Sequence, residues 1–284
     1  MLKSIIVILL LIFSSLLSAQ DTSTSKWTSK GVIGMQMNQI YFQDWAQGGD
    51  KNFTNNIFLR YNTSYSGSSF TWTNDVDLGY GINWTEENGW RKNQDKIELN
   101  SKYNHNTFKK TLKWAIQLNF KSQFVEGFNF PNDSVRVSTF MAPAWLNLTA
   151  GIDWNPNEHF SVLYSPVSGR IIFVLDERLS DLGTFGVDPG QRVRPELGSN
   201  LVIKSNGDIF TNVNADSKLE LFMNYTPLDP NEITNIDVNW ETNVVMKVNS
   251  WLSVNLFVHL IYDHDIIQRL QIRQLSGLGI SYKL

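Results

Sequence analysis

The chain has 284 residues, with 24 Lys and Arg against 27 Asp and Glu for a formal net charge of −3, and it contains no cysteine. Without thiols there is no disulfide, no thiolate metal site and no lipid-modified cysteine, so packing and backbone hydrogen bonding alone must hold the fold together. Charges of both signs are scattered, which excludes a basic nucleic-acid surface; the 13% aromatic content, with ten Trp, suits strands better than a helical bundle.

Residues 1–19 read as a cleavable export signal, with Lys3 as the charged start, an apolar run from Ile5 to Leu17 and a small-residue junction at Ala19-Gln20. That run is too short to span a bilayer comfortably, since a spanning helix takes about 20 apolar residues, and no other stretch is continuously apolar for that length. Residues 20–284 are therefore expected to form one large all-β domain.

Past the signal, apolar and polar residues alternate with period two and almost nothing repeats at helical spacing. Strands are expected near 31–43, 53–66, 69–84, 94–105, 111–125, 139–154, 158–174, 195–204, 209–225, 234–249, 251–262 and 271–284. The segment from Phe70 to Trp84 is the clearest: Phe70, Trp72, Val76, Leu78, Tyr80, Ile82 and Trp84 share one face, and Thr71, Thr73, Asp75, Asp77 and Asn83 the other. Leu112 to Lys121 and Ile236 to Val248 repeat the pattern. Short turns fall at Gly67-Ser68, Asn106 to Lys110, Asn155 to Asn157, Ser205 to Asp208 around the hairpin dipeptide Asn206-Gly207, and Asn249-Ser250. Between them lie links read as longer: 44–52, 85–93, 126–138, 175–194, 226–233 and 263–270. Short and long connections in alternation, an even strand number and both termini on the short-turn side are the pattern of a closed antiparallel up-and-down transmembrane β-barrel of about twelve strands.

The same alternation would suit a soluble sandwich with its apolar face inside. Three features favour the membrane. Aromatic residues Trp72, Trp84, Phe140 and Trp240 are expected at the ends of apolar faces, where amphipathic rings sit at headgroup level. Trp72 and Trp84 would be roughly 30 Å apart along the membrane normal, at about 3.3 Å per residue and a tilt of about 40°. The strands are longer than the usual 5–6 residues of globular strands, and closure satisfies every backbone group, as hydrocarbon demands. The localisation expected is the bacterial outer membrane, with its lipid as surroundings and outer-membrane proteins as candidate partners.

The inward face would then contain Arg60, Asp75, Asp77, Glu98, Lys113, Lys121, Asp216, Glu220, Asp237 and Glu241, along with Lys96, Lys102, Asp153, Glu196, Lys204, Lys218 and Lys247. A barrel this narrow must pair such side chains across the lumen, so a constricted interior is expected in place of a wide pore.

No cofactor motif is present: the Gly48-Gly49 and Gly67 steps read as turns, because no helix follows to present its N-terminus. A lipid-acting hydrolase would need Ser, His and Asn on the outer face; Ser253, Asn255 and His259 fall on the inward parity, without a nucleophile elbow. Asp263-His264-Asp265 is either ordinary turn chemistry or a weak divalent-cation site. No catalytic or metal residue is assigned.

The segment Asn38-Gln-Ile-Tyr-Phe-Gln-Asp-Trp45-Ala-Gln-Gly-Gly49 resembles the family catalogued as domain of unknown function 3078. So do Trp72-Thr-Asn-Asp75 with Gly79-Tyr-Gly81, Asn119-Phe-Lys-Ser-Gln123, Phe140-Met-Ala-Pro143, Tyr164-Ser-Pro166-Val-Ser-Gly169 and Ile236-Asp-Val-Asn-Trp240. The resemblance implies an outer-membrane barrel of Bacteroidetes-type bacteria and no established activity. The chain departs from many outer-membrane barrels in ending Tyr282-Lys283-Leu284, not in an aromatic residue. Three roles stay open: a structural, assembly or narrow-transport barrel, a small-solute porin, and a lipid-acting hydrolase.

Overall fold

The computed structural model describes residues 26–43, 50–129, 132–227 and 236–284. The expected export signal and the Gly48-Gly49 step lie outside them, as do parts of the links 44–52 and 226–233. The strands are β1 (Trp27–Ile40), β2 (Asn52–Ser66), β3 (Phe70–Thr85), β4 (Gly89–Asn106), β5 (Leu112–Ser122), β6 (Gly127–Asn129), β7 (Asn132–Ser138), β8 (Ala144–Asn157), β9 (Phe160–Phe173), β10 (Val193–Phe210), β11 (Val213–Asn224), β12 (Ile236–Lys247), β13 (Leu252–Asp263) and β14 (Ile267–Lys283). Twelve of them close into an antiparallel barrel in sequence order, while β6 and β7 pair only with each other between β5 and β8. The seam joins β1 to β14 from Val32 opposite Lys283 to Met37 opposite Leu278. No described helix is long and apolar enough to cross a membrane; the strands do the crossing.

Which way the faces point follows from burial. Among the described residues, twenty buried side chains are polar or charged and ten are apolar, the reverse of a water-soluble core. Ile57, Ile116, Leu118, Leu148, Leu278 and Ile280 instead stand exposed on the outside. A sheet with this distribution is stable only where hydrocarbon is the outer solvent, and closure leaves no edge unpaired in it. The registers keep the parity from strand to strand: Arg60 lies opposite Asp77, which lies opposite Glu98, which lies opposite Lys121, all on the inside.

The connections differ from the sequence expectation in four places. Asn206-Gly207 is not a turn: it lies within β10, where Asn206 pairs with Asp216 and donates its side-chain amide to that carboxylate at 2.9 Å. On the other flank the Asn206 N–H donates to His159 O at 2.9 Å, so the ladder holds from both sides. The chain reverses instead beyond a bulge at Asp208/Phe210, with Asn212 at φ 64°, a left-handed conformation that Asn tolerates. The links read as 85–93 and 263–270 are tight turns, residues 86–88 and 264–266, because Trp90 to Asp95 and Ile267 to Leu270 already belong to strands; Gly89 at φ 65° makes the first turn feasible. Phe140 is not on a strand but in the turn bridged by Thr139 and Ala142. Long links on the outer side therefore include 174–192 and 123–143, the latter described except at 130–131 and containing strands β6 and β7.

The link 174–192 folds as a lid. Asp176 caps α1 (Glu177–Asp181), accepting from Leu179 N at 3.0 Å, and a 3-10 turn follows at Thr184–Gly186. Leu179 and Val187 bury against Ala142, Ile172 and Val174, with Phe185 edge-on to Trp145 at 6.4 Å. This small apolar core sits at the outer mouth, where alternation fails because Ile172 and Val174 are covered from within. Arg136 of β7 ties the hairpin to the lid, reaching Glu126 at 2.6 Å and Asp176 at 2.5 Å. The hydrogen bond to Glu126, reinforced by the Asp176 charge, holds the Arg136 guanidinium above its ordinary pKa. Arg194 completes the clamp, donating to Gly186 O at 2.7 Å and to Asp265 at 2.8 Å.

Candidate functional site

The site is the lumen. Lys96 of β4 is surrounded by three carboxylates, each at 3.0 Å: Asp77 on β3, Glu98 on its own strand and Glu241 on β12. In the ring of twelve, β12 stands diametrically opposite β4, so the Lys96–Glu241 pair spans the full bore. Two more pairs cross beside it, Lys218 of β11 to Glu98 at 2.7 Å and Lys121 of β5 to Glu220 of β11 at 2.9 Å. Asn119 donates a further hydrogen bond to Glu98 at 3.1 Å. His259 faces the same network from β13, 3.6 Å from Glu241 and hydrogen-bonded to Asn239 at 2.9 Å.

These side chains form a septum. On the outer side lies a cavity of about 310 Å³ reached by Trp145, Phe185, Arg170, Asp237 and Arg273. On the short-turn side lies one of about 360 Å³, reached by Lys30, Arg60, Asp75, Lys204 and Asp216. Lys96, Glu98 and Glu241 line both. Moving ions of this kind out of water costs several kcal/mol each and is repaid only when partners surround them, which the three carboxylates around Lys96 do.

A second cluster closes the outer end. Arg170 of β9 binds Glu196 of β10, reaches Asp237 of β12 at 2.6 Å and lies 4.1 Å over the Phe222 ring. Toward the other end, Asp153 is fully buried and accepts from Lys102 at 2.8 Å and Asn104 at 2.9 Å. Asp75 accepts from Asn62 at 2.6 Å and Asn100 at 3.1 Å, and Arg60 lies 3.6 Å from Asp77.

The ten polar candidates thus fall into groups. Glu98, Lys121, Glu220 and Glu241 meet in the septum, with Asp77 joining through Lys96 and Arg60 joining through Asp77. Asp237 belongs to the Arg170 cluster. Asp75 and Asp216 are held by asparagine amides, and Lys113 lies in register between Asn106 and Asp153 near the short-turn end. Sequence reading did not single out Arg170, Arg194 or Arg273. Arg170 stands beside the apolar run Ile171-Ile172-Phe173, which hides its parity; its spacing of two from Ser168 was the available signal.

The four aromatic candidates lie at different heights. Trp72 is near the short-turn end, donating Nε1 to Ser101 at 2.9 Å, in a band where Trp27 meets Tyr65 at 5.2 Å and Trp72 at 5.8 Å, and Phe70 stacks on Tyr103 at 5.3 Å. Trp84 is at the opposite end, in register with Phe53 and Trp90. Trp240 sits deeper in the outer wall between Leu219 and Leu260, donating to Ser217 at 2.9 Å. Phe140 projects from its turn.

For hydrolytic chemistry, Ser253 and His259 are six residues apart on β13, roughly 20 Å at about 3.3 Å per residue. The Ser253 hydroxyl binds Asn255 and Gly279 O. In the turn after β13, Asp265 N donates to Asp263 at 3.1 Å and His264 lies 3.2 Å from the Tyr262 hydroxyl. Among the described residues no group of three or more His, Asp or Glu is arranged to hold a metal ion.

A closed twelve-stranded barrel with lipid-facing apolar walls, a polar lumen and both termini on the short-turn side is an outer-membrane β-barrel. Within that class, residues 37–128 match the family described as Protein of unknown function (DUF3078); the resembling segments around Phe140, Tyr164 and Trp240 fall outside the matched stretch. No curated protein matches the chain in sequence. Among solved structures it is similar to the translocator domain of autotransporter NalP from Neisseria meningitidis, with 9% identity and a TM-score of 0.41 over 95% of this chain and 92% of that one. It is also similar to an outer membrane channel from Pseudomonas putida F1, with 12% identity and a TM-score of 0.43 over 94% of this chain and 97% of that one. The assignment above rests on closure, strand length and the apolar exterior, not on these likenesses.

Proposed function

We propose that this outer-membrane barrel is a narrow-transport protein that rests closed, its bore divided by the septum around Lys96. The observation that supports this most directly is the Lys96–Glu241 pair at 3.0 Å between opposite walls, with a cavity of a few hundred Å³ on either side of it. A purely structural barrel has no need of two cavities meeting at one removable barrier, and an open small-solute porin would leave the bore unbridged. The reading assigns no catalysis: Ser253 and His259 keep separate partners. Residues 1–19 act as the cleaved export signal, outer-membrane lipid surrounds the wall, and outer-membrane proteins are the partners for the lid and hairpin.

Single-channel recording in planar bilayers tests it. The native barrel should give no steps above background, and Lys96→Ala with Glu241→Ala, which removes both arms of the bridge, should give discrete small steps. Large steady steps from the native protein would make it an open porin; a double variant as silent as the native barrel would make it a sealed structural barrel.

A further inference from the structure

One inward lysine on a wall of the short-turn cavity has no partner among the described residues. Lys204 on β10 stands directly opposite Lys218 on β11, both pointing inward, and like charges placed opposite each other destabilise a sheet. Lys218 is satisfied by Glu98 at 2.7 Å. Lys204 makes no hydrogen bond or ion pair to any described residue, although Asp75 and Glu98 are near enough for their charges to act on it, as are those of Lys218 and Lys102. Those carboxylates are already occupied: Asp75 by the amides of Asn62 and Asn100, Glu98 by Lys96, Lys218 and Asn119. Lys102 in turn is committed to Asp153. Lys204 therefore lines a cavity of about 360 Å³ with no acceptor of its own among the described residues, as does the more exposed Lys30, while Asp216 of the same cavity is held by the Asn206 amide. Since a water takes about 30 Å³, that space holds a small ion with part of its hydration.

From this juxtaposition we infer that the short-turn cavity is a binding site for a small oxyanion, a carboxylate or phosphate group, anchored by Lys204 and flanked by Lys218. The anion supplies the acceptor that Lys204 lacks. Its role as a transport subsite rests on the narrow-transport reading; the binding itself does not, because the cavity lies on one side of the septum and fills whether or not the septum opens.

Isothermal titration calorimetry of the refolded barrel in detergent micelles, with inorganic phosphate and then acetate as probes at constant ionic strength, tests the inference. Saturable binding of at least one oxyanion is expected, weakened at least tenfold in Lys204→Met and unchanged in Lys113→Met, an inward lysine that does not line this cavity. Relief of the like-charge pair should leave Lys204→Met at least as heat-resistant as the native barrel in oxyanion-free buffer, so lost binding cannot be lost fold. Absence of saturable binding to the native protein, or equal binding by Lys204→Met, would overturn the inference. Binding by a barrel that never conducts would refute transport and leave the site standing.

Discussion

Asp153 offers a quantitative test of how the lumen is held together. Its side chain is fully buried, and one carboxylate oxygen accepts from Lys102 at 2.8 Å and from Asn104 at 2.9 Å. Asp153→Ala leaves the Lys102 ammonium, itself only 15% exposed, without its partner. Breaking one side of a buried pair costs about 3–5 kcal/mol, mostly the penalty of the orphaned charge. Because Lys102 keeps some access to lumen water, the lower end applies, about 3 kcal/mol, which is roughly a hundredfold in the folding equilibrium. Urea unfolding of the barrel in lipid vesicles, followed by tryptophan fluorescence and by heat-modifiable gel mobility, reads this loss as a lower midpoint at unchanged slope. Replacing both partners, Lys102→Met with Asp153→Leu, should recover most of it, since an apolar pair of similar volume needs no counter-charge. A cost below about 1 kcal/mol for the single variant, or a double variant as unstable as the single one, would refute the claim that orphaned charge sets the penalty.

Further outcomes follow from the same geometry. Gly151→Val should abolish folding into vesicles, because a Cβ there runs into the Tyr164 carbonyl and the Ser165 Cα across the β8–β9 bulge; a normal heat-modifiable band would count against that packing. Asn212→Val should destabilise by about 1 kcal/mol through its left-handed φ, while Asn212→Gly should be near neutral in the same urea assay. Brominated acyl chains should quench single-Trp variants retaining the exposed Trp114 or Trp240 and spare one retaining Trp145, which faces Phe185 inside the mouth; the opposite order would invert the wall. Arg136→Gln should speed hydrogen exchange in β7 and in α1, with barrel exchange unchanged, since Arg136 joins Glu126 to Asp176.

Period-two alternation made the fold legible because a membrane barrel puts each strand between two unlike solvents, so parity translates into facing. Phe70 to Trp84 shows this best. The reading weakened wherever a second physical constraint overrode parity. Asn206-Gly207 carries a hairpin's composition, yet its amide and N–H are taken by Asp216 and His159, so the strand runs through it and the reversal waits for Asn212. Residues 90–93 are polar enough to suggest a loop, but β4 extends that far because it keeps pairing with the end of β3. The lid escaped because α1 is five residues long, too short to establish a helical period. Parity also assigned Lys96, Glu98, Lys218 and Glu241 to the lumen, but not to one another: who meets whom depends on stagger between walls, which no single strand encodes. Arg170 was lost in its apolar neighbourhood for the same reason that Ile172 is buried under the lid.

The closing seam has a mechanical consequence. Among the described residues, β1 and β14 share six registered pairs, from Val32 to Met37 against Leu278 to Lys283, where β1 and β2 share fourteen. At about 1 kcal/mol per backbone hydrogen bond, the hoop is thinnest at the junction of its two ends. Under tension or denaturant the perimeter parts there first, and a nascent chain being threaded into the bilayer zips there last, so the two ends of the polypeptide serve as the clasp of the cylinder.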